Sequence, residues 1–463
     1  MRKILYLLLS VTLLFNSCGL YKKYQRPDNV NTTGLFRDTA SLTSSLAERD
    51  TFSLGGTPWR EVFTDTYLQQ LIDSGLKNNT DLRSAALSVT QAKAMLTSAK
   101  LAFFPSFAFA ATGNLRSWDM GKASQIYSLP VEASWNIDLF GSLTNAKRAQ
   151  QASLLQAQDY QRAVQCGLIA QIANAYYTLL MLDKQLQITR NTENLTKQTY
   201  EMMVQQKKYA AGVDESAVQS AKANYYSVLA SIPELQRQIR NTENALSVLL
   251  CESPHSIPRG KLENQSLPSK FSTGIGVQLL GNRPDVHAKE MALANCYYNV
   301  KRARAAFYPS ITISGSAAWT NSSGAGIVNP GKILATAVGS LAQPIFQNGR
   351  LVAQLKVAKA QQEQAFLAWQ QSILQAGSEV SNALALYQTS QERSALEKVQ
   401  IESLQRNVEV AEKVFKMGQN GNYLNVISAQ QSLLQAQLSK IADDFNKMQA
   451  VVNLYYALGG GDK

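Results

Sequence analysis

The chain runs through one series of signals twice, and whatever fold it adopts has to accommodate both copies. Each copy has an apolar lead-in, an aromatic-Pro-Ser step and an alternating stretch. A glycine, a very long proline-free segment, a second glycine and a shorter apolar-striped segment follow. The first copy passes through SAKLAFFPSFAFAATGNLRSW at 98–118 and the second through KRARAAFYPSITISGSAAW at 301–319. Pro105 lies 36 residues before Gly141, and Gly212 follows 71 further on; from Pro309 the matching steps, to Gly349 and Gly418, are 40 and 69. A period of this length exceeds any solenoid unit, so the chain is a duplicated half-protein.

The twelve prolines all avoid 131–232 and 345–463. Both stretches are rich in Ala, Gln, Leu and Glu, good helix formers, so long helices are expected there. One helix from Gly141 to Tyr209 would extend ~100 Å. Apolar residues step along it at Val164, Leu168, Ile172, Ala175, Leu179, Leu182 and Leu186, and along the second copy at Phe366, Trp369, Ile373, Gly377, Val380, Leu384 and Tyr387. Stripes this sustained mark helices that pack lengthwise, as in a ring or coiled coil. Gly212 and Gly418 reverse the chain into shorter helices, Ser216 to Cys251 and Leu424 to Leu458. The two turns are then tips of helical hairpins, expected at the end opposite the strands. One further helix is expected from Asp65 to Ala102, with Leu68, Leu71, Ile72 and Leu76 on a stripe.

Between the helices lie strands. From Val131 to Leu139, Val131, Ala133, Trp135, Ile137 and Leu139 alternate without a miss with Glu132, Ser134, Asn136 and Asp138. Period two is a strand with one apolar and one wet face, and its length suits a tilted membrane strand of ~9–11 residues. Ser310 to Trp319 repeats the pattern, Phe107 and Phe109 give an apolar face to a first strand, and a fourth is expected around Ile333 to Ile345. Trp118, Trp135 and Trp319 fit an interfacial aromatic girdle. Four strands cannot close on themselves in lipid, where an open edge leaves backbone groups unpaired. Three chains supply twelve, enough for one barrel.

At the N-terminus, Arg2 and Lys3 precede an apolar run from Ile4 to Phe15 and then Asn16-Ser17-Cys18-Gly19, a secretory signal too short to span a bilayer. The small residue before Cys18 makes it a candidate lipidation site. Cys166, Cys251 and Cys296 lie in helical patterns and do not read as a disulfide framework. The charge of +12, nearer +10 without Arg2 and Lys3, is scattered singly along helices, so nucleic acid is not an expected partner. The two histidines, His255 and His287, have no Cys or carboxylate at metal spacing, so no catalytic residue, metal or cofactor is assigned and an enzyme is not expected. The resulting division is a signal peptide at 1–17, a lipid-anchored tether at 18–58, a first repeat at 59–253, a connection at 254–280, a second repeat at 281–459 and a tail at 460–463.

The stretch GVQLLGNRPDVHAKEMALANCYYNVKRARAAFYPSITISG, 276–315, resembles the TolC-like outer-membrane factor family, in its lipoprotein (OprM or NodT) branch. The match falls at Leu279, Leu280, Arg283, Pro284, Asp285, Glu290 and Ala303 through Pro309. WNIDLFG at 135–141, YAAGVDE at 209–215 and GNYLNVISAQQSLLQAQ at 421–437 extend it. The resemblance implies an α+β trimer: a 12-stranded outer-membrane β-barrel, a periplasmic α-helical barrel and an equatorial layer from Pro58 and 254–268. It also implies an efflux channel that conducts small molecules, with a periplasmic adaptor and an RND-type inner-membrane pump as partners. By the same resemblance Tyr209, Gly212, Val213, Phe415, Gly418 and Asn420 form adaptor-docking tips. Leu424 and Ser428 form the periplasmic aperture, with Asp214 nearby; Ser428 stands where the family has Asp. Two rival readings are an exit duct for type I protein secretion, which shares the architecture, and a coiled-coil scaffold, which leaves the strands unexplained.

Overall fold

The computed structural model describes residues 20–27, 54–117, 119–209, 214–268, 283–320, 333–417 and 423–461. Two compact units emerge, one formed by 1–31, 86–160 and 287–372, the other by 32–85, 161–286 and 373–463. Each takes segments from both sequence repeats, so the spatial division cuts across the duplication.

The first unit holds the sheet. Its strands are β1 (Ser106–Phe109), β2 (Thr112–Arg116), β3 (Ser124–Ile137), β4 (Ser310–Thr320) and β5 (Ile333–Ala342), all antiparallel in the order β1-β3-β4-β5, with β2 continuing the rank of β1 along β3. The first rank is interrupted at Ala110–Ala111, opposite Pro130 of β3. A proline gives no N–H to a ladder; here its carbonyl alone is used, accepting from Ala110 N at 3.4 Å.

β3 begins earlier than the alternation suggested and stops at Ile137, because Asp138 has another task. Its carboxylate accepts from Leu143 N at 2.9 Å and Thr144 N at 2.7 Å. It thereby caps α4 (Ser142–Tyr209), as an acidic residue at a helix start commonly does. The two long helices, α4 and α7 (Arg350–Lys416), each follow a glycine of positive φ, Gly141 at +73° and Gly349 at +77°. Both copies thus turn from strand to helix through a conformation that side chains resist.

The single helix expected from Asp65 to Ala102 is two, α2 (Thr66–Asn78) and α3 (Thr80–Leu101), after a one-turn α1 (Trp59–Val62). Asn79 breaks it. Its backbone is extended, its Oδ1 accepts from Asp81 N at 2.9 Å and Leu82 N at 3.0 Å, and its Nδ2 donates to Leu249 O at 3.0 Å. A buried Asn that starts a new helix and ties down another overrides the continuous stripe.

The second unit has the larger core, in which α2 and α4 meet α5 (Glu215–Leu250), the middle of α7 and α8 (Tyr423–Ala457). Tyr176, Tyr177, Phe63 and Tyr455 are its largest fully buried side chains. Burial raises the Tyr176 hydroxyl above its ordinary range; it donates to Asp65 at 2.7 Å and accepts from Gly260 N at 3.0 Å. That bond pins the 254–268 connection to the core, and Arg259 reinforces it through Asp183 at 2.5 Å and Glu243 at 2.6 Å. Leu54 is fully buried and belongs to this core, so a residue of the expected tether is packed.

The Arg-Pro-Asp motif also has a physical account. Pro284 opens α6 (Pro284–Ala305), where its missing N–H costs nothing. Arg283, buried, holds Asp285 at 2.7 and 3.0 Å, Glu379 of α7 at 2.8 Å and the Ala457 carbonyl of α8 at 3.2 Å. Burial pulls its pKa down, but the carboxylates more than restore it.

Candidate functional site

Three features could carry function: the faces of the sheet, the tips of the helical hairpins and the segment that follows the N-terminal cysteine.

The sheet sorts its side chains by chemistry across all four ranks. One face places Phe109 beside Val131, Ala317 and Ala335, Phe107 beside Ala133, Gly315 and Ala337, and Trp135 beside Ile313. Ile137, Ile311 and Leu341 complete it. The other face places Glu132 beside Ser316 and Thr336, and Asn136 beside Thr312 and Ser340. Hydroxyls cross-link that face: Thr312 Oγ1 donates to Asn136 Oδ1 at 2.8 Å, and Ser316 and Thr336 share a bond of 2.7 Å. Val338, opposite Ser314, is an apolar residue on the wet face. Phe107, Phe109, Trp135, Ile313 and Leu341 are all exposed. An exposed apolar face backed by a hydroxyl-rich one suits a wall between hydrocarbon and water. No described helix is long and apolar enough to cross a membrane. Trp135 and Trp319 lie on the apolar face; Trp118, also expected at the girdle, lies outside the described residues.

At the tips, α4 ends at Tyr209 and α5 starts at Glu215, while α7 ends at Lys416 and α8 starts at Tyr423. Beneath them Met203, Val218, Ala221, Phe415, Val426 and Ile427 form a small separate core. Phe415 is therefore a packing residue, whereas Tyr209 is exposed with Lys208 Nζ 5.1 Å from its ring. Asp214 is the N-cap of α5, accepting from Ala217 N at 2.8 Å. Lys207 pairs with Glu215 across the first tip and, with Gln219, holds that carboxyl below its usual range. Gly212, Val213, Gly418 and Asn420 lie outside the described residues, as does Cys18.

The start of α8 is fixed on several sides. Gln430 donates to Thr199 Oγ1 of α4 at 3.0 Å and to Glu412 of α7 at 3.1 Å; Gln431 donates to Asn224 of α5 at 2.8 Å; the Tyr423 hydroxyl is 3.4 Å from that of Ser216. Val426, Ile427 and Ala429 are buried, and Leu424 and Ser428, one turn apart, are exposed on the face left over. The family resemblance named this pair but not the glutamines beside it; the Gln430-Gln431 doublet within an apolar stripe was their signal.

Residues 20–27 form a strap against the first unit. Leu20 is buried, and its carbonyl accepts from Asn145 at 3.0 Å. The Tyr21 hydroxyl donates at the end of β3 to Asp138 O or Leu139 O, each 3.1 Å away, and Arg26 holds Glu290 of α6 through two bonds. Among the described residues no group of three His, Cys, Asp or Glu side chains gathers to hold a metal.

A sheet with these faces suits a boundary between lipid and water, and spanning β-structure belongs to outer membranes. The class this defines is the outer-membrane channel protein. More narrowly, the chain belongs to the outer membrane efflux protein family, whose model matches residues 71–252 and 275–460. It is 29% identical over 455 residues to the cation efflux system protein CusC of Escherichia coli K12, covering 97% of this chain and 98% of that one. It is 28% identical over 463 residues to the probable outer membrane lipoprotein SilC of Salmonella typhimurium, covering 98% of each. With the probable efflux pump outer membrane protein TtgC of Pseudomonas putida KT2440 it shares 27% over 481 residues, covering 100% of this chain and 96% of that one. Among solved structures, that of CusC superposes with a TM-score of 0.84 at 28% identity, over 95% of this chain and 99% of that one. The open state of the MtrE outer membrane channel of Neisseria gonorrhoeae gives 0.84 at 25%, over 96% and 98%. The chain is an outer-membrane efflux channel.

Proposed function

We propose that three copies of this chain form one conduit, lipid-anchored at Cys18, that receives small molecules from an inner-membrane pump through a periplasmic adaptor. The observation that carries the trimer is the sheet. The outer edges of its two outer ranks, β1 with β2 on one side and β5 on the other, pair with no other strand among the described residues, and an unpaired edge in hydrocarbon costs several kcal/mol per group. Three sheets joined edge to edge remove every edge and give twelve strands. CusC and TtgC carry efflux names, which supports the adaptor and pump as partners, and SilC is named a probable outer membrane lipoprotein, which supports the anchor. Cation and general efflux pumps stand at nearly the same identity, so the reading that fits them all is a conduit whose cargo is chosen upstream, with no chemistry of its own. The exposed tips are the docking surface in this reading, and the Leu424–Ser428 face is the aperture.

Native mass spectrometry of the detergent-extracted protein tests this directly. The expected mass is three chains, each with Cys18 as first residue and acyl groups attached. A monomer would sink the shared barrel, and an unmodified N-terminus would sink the anchor alone.

A further inference from the structure

Charge is nearly absent from the strands. Across β1 to β5 only two residues carry it, Glu132 of β3 and Arg116 of β2, and the register puts both on the hydroxyl-rich face. Glu132 shares that face with Asn136 and Ser134, while Arg116 stands opposite Ser124, eight residues before Glu132 on β3. At a rise of ~3.4 Å per residue the two charges are ~27 Å apart along the sheet, and the helix end of β3, at Ile137, lies ~17 Å the other way. Glu132 is therefore alone at its level.

It is also uncovered. Glu132 is exposed and makes no hydrogen bond or ion pair among the described residues. On the β1 side its opposite number is Ala108, and just beyond lies the break at Ala110–Ala111, so no side chain there reaches over it. On the β4 side its opposite number is Ser316, whose hydroxyl is bonded to that of Thr336 at 2.7 Å. A carboxylate set among alanines and hydroxyls that bond to one another keeps its charge for whatever fills the space in front of it.

We propose that Glu132 is a charge-selecting residue of the conduit, three copies forming a carboxylate ring in the barrel lumen that favours cationic solutes and holds back anionic ones. The ring rests on the shared barrel of the proposed function. Twelve strands ~4.8 Å apart and tilted ~40° close at a backbone radius of ~12 Å. A glutamate reaching ~5 Å inward then sets its carboxylate ~7 Å from the axis. That is within one Debye length, ~10 Å at 0.1 M salt, so all three charges act together there. Their summed field enriches a monovalent cation on the axis about fourfold and depletes a monovalent anion as much. Arg116 lies more than two Debye lengths away, and β5, the strand that meets β1 of the next copy in such a ring, brings no charge. Cargo chosen upstream is thus biased by its charge on the way out.

The test is the reversal potential of full-length protein in planar bilayers under a potassium chloride gradient centred near 0.1 M, with native mass spectrometry of the same preparation. Glu132→Gln removes the charge at an exposed position without changing the side chain's length, Glu132→Asp keeps the charge, and Glu132→Lys reverses it. Parent channels should prefer potassium over chloride. Glu132→Gln should lower that permeability ratio about fourfold, Glu132→Asp should stay close to the parent, and Glu132→Lys should invert the preference. Near 1 M salt the Debye length falls to ~3 Å, and the difference between parent and Glu132→Gln should vanish. A merely structural role for the side chain would not respond to salt in this way. Trimeric channels with one permeability ratio in parent and all variants overturn the ring, and so does a difference that persists at 1 M. A monomeric mass overturns instead the shared barrel on which the ring rests, so the two failures are told apart.

Discussion

Leu424 is half exposed on a helix whose other faces are held by Gln430, Gln431 and a buried aliphatic stripe. An apolar side chain kept toward open space by its neighbours' hydrogen bonds is poised to narrow a pore, since a ring of such residues resists hydrated ions by dewetting. Leu424→Ala is expected to raise single-channel conductance in planar bilayers. Ser428, one turn on, offers a hydroxyl and no charge; Ser428→Asp should increase cation preference, read as a shift in reversal potential. If both variants match the parent while still trimeric, the constriction lies elsewhere. The pair was named through the family resemblance carried by 421–437. Phe415 could not be placed this way: a phenylalanine near a turn is equally compatible with a docking surface and with the small core in which it is buried.

At the scale of elements, period decided what was legible. β3 and β4 were plain because their two faces differ in chemistry, and the register carries that difference across every rank. β5 was vague because it is rich in Ala and places Val338 among hydroxyls. The break at Asn79 was hidden, since a capping side chain changes a helix without changing the apolar stripe. The face assignment predicts an asymmetry. Val131→Arg should destabilise the inserted sheet by ~2–4 kcal/mol near the membrane midplane, while Asn136→Arg, on the wet face, should cost much less. The comparison is between their unfolding midpoints in urea with lipid vesicles, and equal shifts would mean that the faces are reversed.

The helices carry a pH dependence of their own. His287 Nδ1 lies 2.6 Å from Asp159, and that hydrogen bond lifts its pKa above the ordinary 6.5; Glu290 adds to the lift, while burial and Arg26 oppose it. A raised pKa in the fold means that protonation favours the fold. This contribution is complete below 6.5 and is lost as pH rises through the raised value. Thermal unfolding should therefore weaken across that window in the parent, and His287→Gln should flatten the dependence.

For the whole molecule, the duplication was the most legible property because spacing between glycines and prolines outlasts identity. Gly141 and Gly349 show why: each needs the same left-handed turn between strand and helix. The two spatial units were not legible, because each is assembled from both repeats and no change of composition marks where one ends along α4 or α7. The proposed trimer rests on hydrogen-bond accounting, a property of the sheet that no single segment displays.

The two outer ranks of that sheet also differ from each other, one broken at Ala110–Ala111 and the other continuous through β5. Unlike edges join head to tail, so a ring closes only when the last subunit fits both its neighbours. Inheritance follows from this. A cell that makes equal amounts of parent chain and a β5 variant unable to pair, such as Val338→Pro, would complete only roughly one ring in eight from intact copies, if rings assemble at random around the three-fold axis. One faulty allele should then depress export far below half, and the ratio of export in the mixed strain to that of the parent would measure how many chains share a pore.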